Sequence, residues 1–212
     1  MDVQFYPNDQ TNLHCVQATF RMILSKLLPD RQFSMEDLIK ISAVVDGKAT
    51  WPSRMLVELD NLGLDVVMVE GFNAQRFINE GADYLRDEFG AETAAWQIEH
   101  SNIEKERRDY EELLVSDVKV ENRIPKMDDI KNYLDNGYMV KATVNSKKLA
   151  GKDGYTGHSV LVLAIDGDEV TLHNPGLPPI PNQHVSLGTF EASWSSPNDQ
   201  AREIIAVRLK VT

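Results

Sequence analysis

The sequence predicts an α+β fold, an N-terminal helical half packed on a C-terminal, mainly antiparallel sheet. Three observations carry this. Helix-period apolar stripes dominate the first part of the chain, consecutive strand-like runs follow, and the regular strand–helix alternation of a doubly wound sheet is missing. A chain of 212 residues with 42% hydrophobic content can bury a sizeable core in one domain. The expected division is a helical lobe over about 1–135 and an antiparallel sheet lobe over about 136–212.

Each element follows from local chemistry. Val16, Phe20, Ile23, Leu24 and Leu27 form the apolar stripe of a first helix, which Thr11 or Asn12 can cap and which ends near Pro29. Ser34 and Asp37 form a capping box for a second helix that ends near Gly47. Thr50 is the expected cap of a third helix, with Pro52 in its first turn and Gly63 as its left-handed stop. Leu64 to Val69, rich in β-branched residues, reads as a strand. Roughly Asn73 to Ser116 reads as an all-helical lobe, whose run Glu104 to Asp109 has the alternating charge of a solvated face. Ile130 and Leu134 mark a further helix closed by Gly137, and Tyr138 to Val144 the next strand.

Beyond the polar loop Lys147 to Tyr155, Ser159 to Ile165 is almost continuously apolar and reads as a central strand. Asp166-Gly167 is the expected two-residue hairpin turn, and Glu169 to His173 the returning strand. Pro175 to Pro181 cannot continue a ladder, so the chain is expected to leave the sheet after Asn174. Leu187 to Trp194 fits a short helix and Arg202 to Val211 a last strand.

Composition narrows the function classes. With 33 acidic against 22 Lys and Arg residues the formal charge is -11, which argues against nucleic acid or an anionic membrane as partner. No run of about 18 apolar residues occurs, and the N-terminus lacks the basic start and apolar core of a signal peptide. One cysteine forms no internal disulfide, so a cytoplasmic location is expected. The histidines are scattered without zinc-ligand spacing, and neither a metal nor another cofactor is expected.

That cysteine, Cys15, falls in the first turn of the first helix, where free N–H groups and the helix dipole favour thiolate over thiol. Gln10, five positions upstream, offers an amide donor for an oxyanion. His158 opens the central strand and Asn174 ends its hairpin partner, so a tight register makes them neighbours and lets the amide orient the imidazole. Each residue also has a plain reading: a cysteine as a small buried hydrophobe, a histidine bonded to backbone or water, and an asparagine that starts a turn before Pro175.

Taken together, the order Gln10, Cys15, His158, Asn174 resembles the papain-like cysteine peptidases. The closer likeness is to their bacterial branch related to the bacteriocin-processing peptidases, including stand-alone proteins that carry this domain alone. It rests on the Cys15 helix, on Met55 to Leu64, on Ile130 to Val140, and on Gly157 to Leu163 with Ile165-Asp166-Gly167 and His173-Asn174-Pro175; Phe190 and Trp194 add to it. Members usually have aspartate before and glycine after the cysteine, where this chain has His14 and Val16, and their glutamine usually stands one residue further upstream. Many use aspartate as third residue, while Asn174 resembles papain itself.

The resemblance implies a cysteine peptidase or amide hydrolase with Cys15, His158 and Asn174 as catalytic triad and Gln10 as oxyanion donor, acting on a peptide or small amide. An acyltransferase or transpeptidase using the same residues, an inactive binding module of the same fold, and an interaction protein with a structural cysteine stay open. The negative charge favours neutral or basic peptides through steering.

Overall fold

The computed structural model describes residues 2–210. Within them a seven-stranded sheet has the order β2-β1-β7-β3-β4-β5-β6, where the strands are β1 (Leu64–Glu70), β2 (Lys119–Asn122), β3 (Met139–Asn145), β4 (Gly157–Asp166), β5 (Glu169–Asn174), β6 (Ile180–Ser186) and β7 (Glu203–Leu209). All neighbours pair antiparallel except β1 and β2, which run parallel. That parallel pair requires a crossover, supplied by three helices, α4 (Ala74–Glu80), α5 (Ala82–His100) and α6 (Ile103–Leu114). The α+β class with a mainly antiparallel sheet is what the chain adopts, and two of the strands come from its first 135 residues.

Two apolar cores flank the sheet. One gathers Phe20, Ile23 and Leu24 of α1 (Cys15–Leu27) and Met55, Leu56 and Leu59 of α3 (Ser53–Asn61) with Met68 of β1 and Leu161 of β4. The other gathers Ile130 of α7 (Met127–Asp135) and Phe190 and Trp194 of α9 (Leu187–Trp194) with Val140, Val160 and Ile204. Alternate residues of each strand serve opposite cores: Met68 the first and Val67 the second, Ile205 the first and Ile204 the second. Side chains such as Phe20 and Leu24, fully removed from water, each contribute about 1.5–3 kcal/mol.

Several expectations are corrected. α1 starts at Cys15, not at Thr11 or Asn12. Those two residues form a turn in which Asp9 Oδ1 accepts the Thr11 N–H and Asn12 takes φ 60°, so neither side chain reaches the helix. Ser34 and Asp37 do close a capping box, but α2 (Met35–Ile41) stops at Ile41, well before Gly47. Thr50 caps nothing, and its hydroxyl donates to Glu106 Oε1 at 3.0 Å. The charged run on α6 is not a solvated face, because Lys105, Glu106 and Asp109 turn inward. β2 and the one-turn α8 (Ser146–Leu149) arise where no element was expected.

The chain also returns to the sheet after the proline-rich stretch. β6 pairs with β5 as the edge strand, where the missing N–H of Pro181 is tolerated. The hairpin turn is Gly167-Asp168, one residue later than expected, with Asp166 opposite Glu169 and Gly167 at φ 55°. The last strand is central, between β1 and β3, and ends at Leu209; Val211, expected to close it, lies outside the described residues.

Candidate active site

Cys15 is the first residue of α1. His14 precedes it, with its backbone N–H donated to Asn8 Oδ1 at 3.0 Å and its ring Nδ1 2.6 Å from Asp9 Oδ2. The N–H groups of a first helical turn have no partner within the helix, so negative charge is favoured where the sulfur stands. Thr19, one turn on, ties the helix to the sheet by donating to the Cys15 carbonyl at 2.9 Å and lying 3.4 Å from that of Ser159. Cys15 is 9% exposed and lines a cavity of about 140 Å³ whose wall also holds His158 and Ser159 at the start of β4.

His158 Nε2 lies 2.8 Å from Asn174 Oδ1. The same Asn174 atom accepts the Gly176 backbone N–H at 3.1 Å, while Asn174 Nδ2 donates to Gln183 Oε1 at 2.9 Å. The Gly176 bond fixes the amide orientation, because a backbone N–H can only donate and needs an acceptor opposite it. An oxygen therefore faces the ring. Nε2 must carry the hydrogen, and Nδ1 is left for the sulfur.

Burial pushes the Cys15 thiol up, but the hydrogen bond and charge of His158, the Ser159 N–H and the Lys141 ammonium outweigh it, and the thiol titrates below its ordinary value. Burial pushes His158 down, yet the sulfur and Asn174 hold it above the ordinary imidazole value. The two shifts express one event. Each group favours the charged form of the other, so the thiolate–imidazolium pair is stabilised relative to the same groups apart.

The chain thus brings Cys15, His158 and Asn174 together. Gln10 is exposed in the turn ahead of α1. Gln183, which holds Asn174 from β6, was invisible without that strand, and the Gly176 N–H that holds it from the following turn was also missed. Glu70, Lys141 and Glu203, grouped beside the cavity on β1, β3 and β7, were also missed, although a lysine between the apolar Val140 and Ala142 was a legible signal. Among the described residues no group of His, Cys, Asp and Glu is arranged to hold a metal ion, and no helix is long and apolar enough to cross a membrane.

No protein-family model matches the chain, and none of the curated proteins does. Solved structures do match in three dimensions. One is the peptidase domain of Streptococcus ComA, a bi-functional ABC transporter involved in a quorum sensing pathway, with TM-score 0.54 and 11% identity over 98% of each chain. Another is a double glycine motif protease from an AMS/PCAT transporter in complex with the leader peptide, with TM-score 0.50 and 11% identity over 100% of this chain and 93% of the other. Likeness at that identity speaks for architecture: over nearly its whole length the chain has the papain-like α+β fold of these peptidase domains.

Proposed function

We propose that the protein is a cysteine-dependent peptidase or amide hydrolase with Cys15 as nucleophile, His158 as acid and base, and Asn174 as the group that orients the imidazole. The observation that carries this reading is the His158 ring held at 2.8 Å by Asn174 and near enough to the Cys15 thiol, on the same cavity wall, for each to shift the titration of the other. The fold shared with two peptidase domains supports it, and a leader peptide bound to one of them supports a peptide as substrate.

The chemistry follows from the charges. The Cys15 thiolate attacks the scissile carbonyl, and the oxyanion forms beside the Cys15 backbone N–H at the helix start. His158 gives its proton to the leaving amine and then takes one from the water that hydrolyses the thioester. Asn174 keeps the ring in the required tautomer, a smaller role than the other two. An amine in place of water makes the same sequence a transfer.

Cys15→Ala should lose hydrolysis of a peptide amide by several orders of magnitude while staying folded. Since Cys15 is the only cysteine, alkylation by iodoacetamide reports that thiol alone. Labelling should persist at pH values well below the ordinary thiol pKa of about 8.5 and shift upward in His158→Ala. A wild-type profile that follows an unperturbed thiol would sink the proposal. Gln10→Ala should cost far less than the 10²–10³ in kcat of a removed oxyanion donor, because Gln10 is exposed in the turn ahead of α1.

A further inference from the structure

The cavity beside Cys15 holds ionisable side chains that acyl transfer does not use. Glu70 closes β1 and Glu203 opens β7, and the two stand directly opposite each other in the antiparallel ladder. Like charges paired across strands cost stability, so this pair needs a reason. Glu70 is 1% exposed and lines the cavity; its Oε2 accepts the Tyr110 hydroxyl at 3.0 Å, and its Oε1 has no partner.

The nearby cations are ion-paired to carboxylates other than Glu70. Lys141 Nζ lies 2.6 Å from Glu203 Oε1 and 2.6 Å from Thr143 Oγ1. Arg202, which also lines the cavity, has Nη2 2.9 Å from Asp199 Oδ1 and its guanidinium 5.1 Å over the Trp194 ring, while its Nε has no partner. One carboxyl group is left without a cation. Burial and the Glu203 charge push Glu70 well above the ordinary carboxylate range, against the smaller pull of Tyr110 and Lys141. An incoming cation would displace that proton and restore the charge balance.

Size and lining agree. A cavity of about 140 Å³ is close to the engineered cavity of about 150 Å³ that takes up one benzene, so it has room for a single side chain. Trp51, Phe72 and Trp96 supply apolar and aromatic wall for an aliphatic stem and for the face of a cation. We propose that this cavity is a specificity pocket for one basic side chain, lysine or arginine, of the peptide presented to Cys15, with Glu70 as the residue that selects the charge. Placing the scissile bond rests on the peptidase reading above, whereas capture of the cation does not.

Two measurements separate the claims. In Cys15→Ala protein, binding of N-acetyl-lysine amide, its neutral counterpart N-acetyl-norleucine amide and N-acetyl-glutamate amide is followed by the fluorescence of Trp51 and Trp96. The lysine amide should bind at least about tenfold tighter than both, and the preference should vanish in Cys15→Ala/Glu70→Gln. Norleucine or glutamate amide binding as tightly overturns the pocket, even if the Glu70 variant fails to fold. In wild type, chloroacetyl-lysine amide should alkylate Cys15 faster than chloroacetyl-norleucine amide. Lysine-selective binding with an inert Cys15 keeps the pocket and removes the peptidase reading, and a reactive Cys15 with no lysine preference does the reverse.

Discussion

Gly176 sits where the His158–Asn174 pair has least room. A Cβ there would meet Asn174 Oδ1 at 3.1 Å and His158 Nε2 at 3.2 Å, tighter than ordinary contact. Neither neighbour can yield easily, because Asn174 is also held by Gln183 and the ring is also engaged by the sulfur. The φ of Gly176 lies outside the left-handed region, so alanine brings no backbone strain, only crowding at the imidazole. Displacements of about 1 Å can cost 10²-fold in rate, and Gly176→Ala should lower kcat at least about tenfold with Tm within a few degrees of wild type. Peptide hydrolysis and thermal melts on one preparation check this. Full activity would mean that the ring does not depend on this contact.

At the level of elements, α6 stores a pH-dependent cost. Glu106 is fully buried, receives the Thr50 hydroxyl at 3.0 Å on Oε1, and has no partner on Oε2. Burial pushes its pKa up to about 7; Lys105, which is ion-paired to Asp109, pulls it down, and the Asp109 charge adds to the rise. A raised folded-state value means that the stability is present below the unfolded value of about 4.5 and is lost as pH climbs through about 7. The loss is on the order of 3 kcal/mol, at about 1.4 kcal/mol per unit. Glu106→Gln, which keeps the shape and removes the charge, should therefore gain in Tm relative to wild type between pH 5 and pH 8. A constant difference across that range would refute the assignment. The inward turn of α6 was not legible in its sequence, since Glu104 to Asp109 has the composition of a solvated face and only the tertiary contact with Thr50 distinguishes Glu106 from Glu104. By contrast the strand pair carrying His158 and Asn174 was readable, because a continuous apolar run, a glycine turn and a proline fixed its register to within a residue. β6 was hidden by its prolines, and with it the Gln183 that holds Asn174.

Charge acts on the whole molecule as well as on the pocket, and salt tells the two apart. The formal charge of -11 draws a cationic peptide from a distance, but the Debye length is about 10 Å at 0.1 M and about 3 Å at 1 M, so this attraction fades with ionic strength. Glu70, 1% exposed at the cavity wall, acts over a short range that salt reaches poorly. The ratio of kcat/KM for a lysine-bearing peptide over its norleucine counterpart should therefore fall from about 0.01 M to about 1 M salt and level off above one. The falling part belongs to the surface, and Glu70→Gln should leave its slope in place because one buried charge barely alters the far field. The residual belongs to the pocket, and the same substitution should bring it to about one. Sequence composition foretold the first component through its excess of acidic residues. The second required the register that sets Glu70 opposite Glu203, which no local pattern announces. A ratio that collapses to one in wild type at 1 M salt would assign the whole preference to steering and leave Glu70 a structural acid.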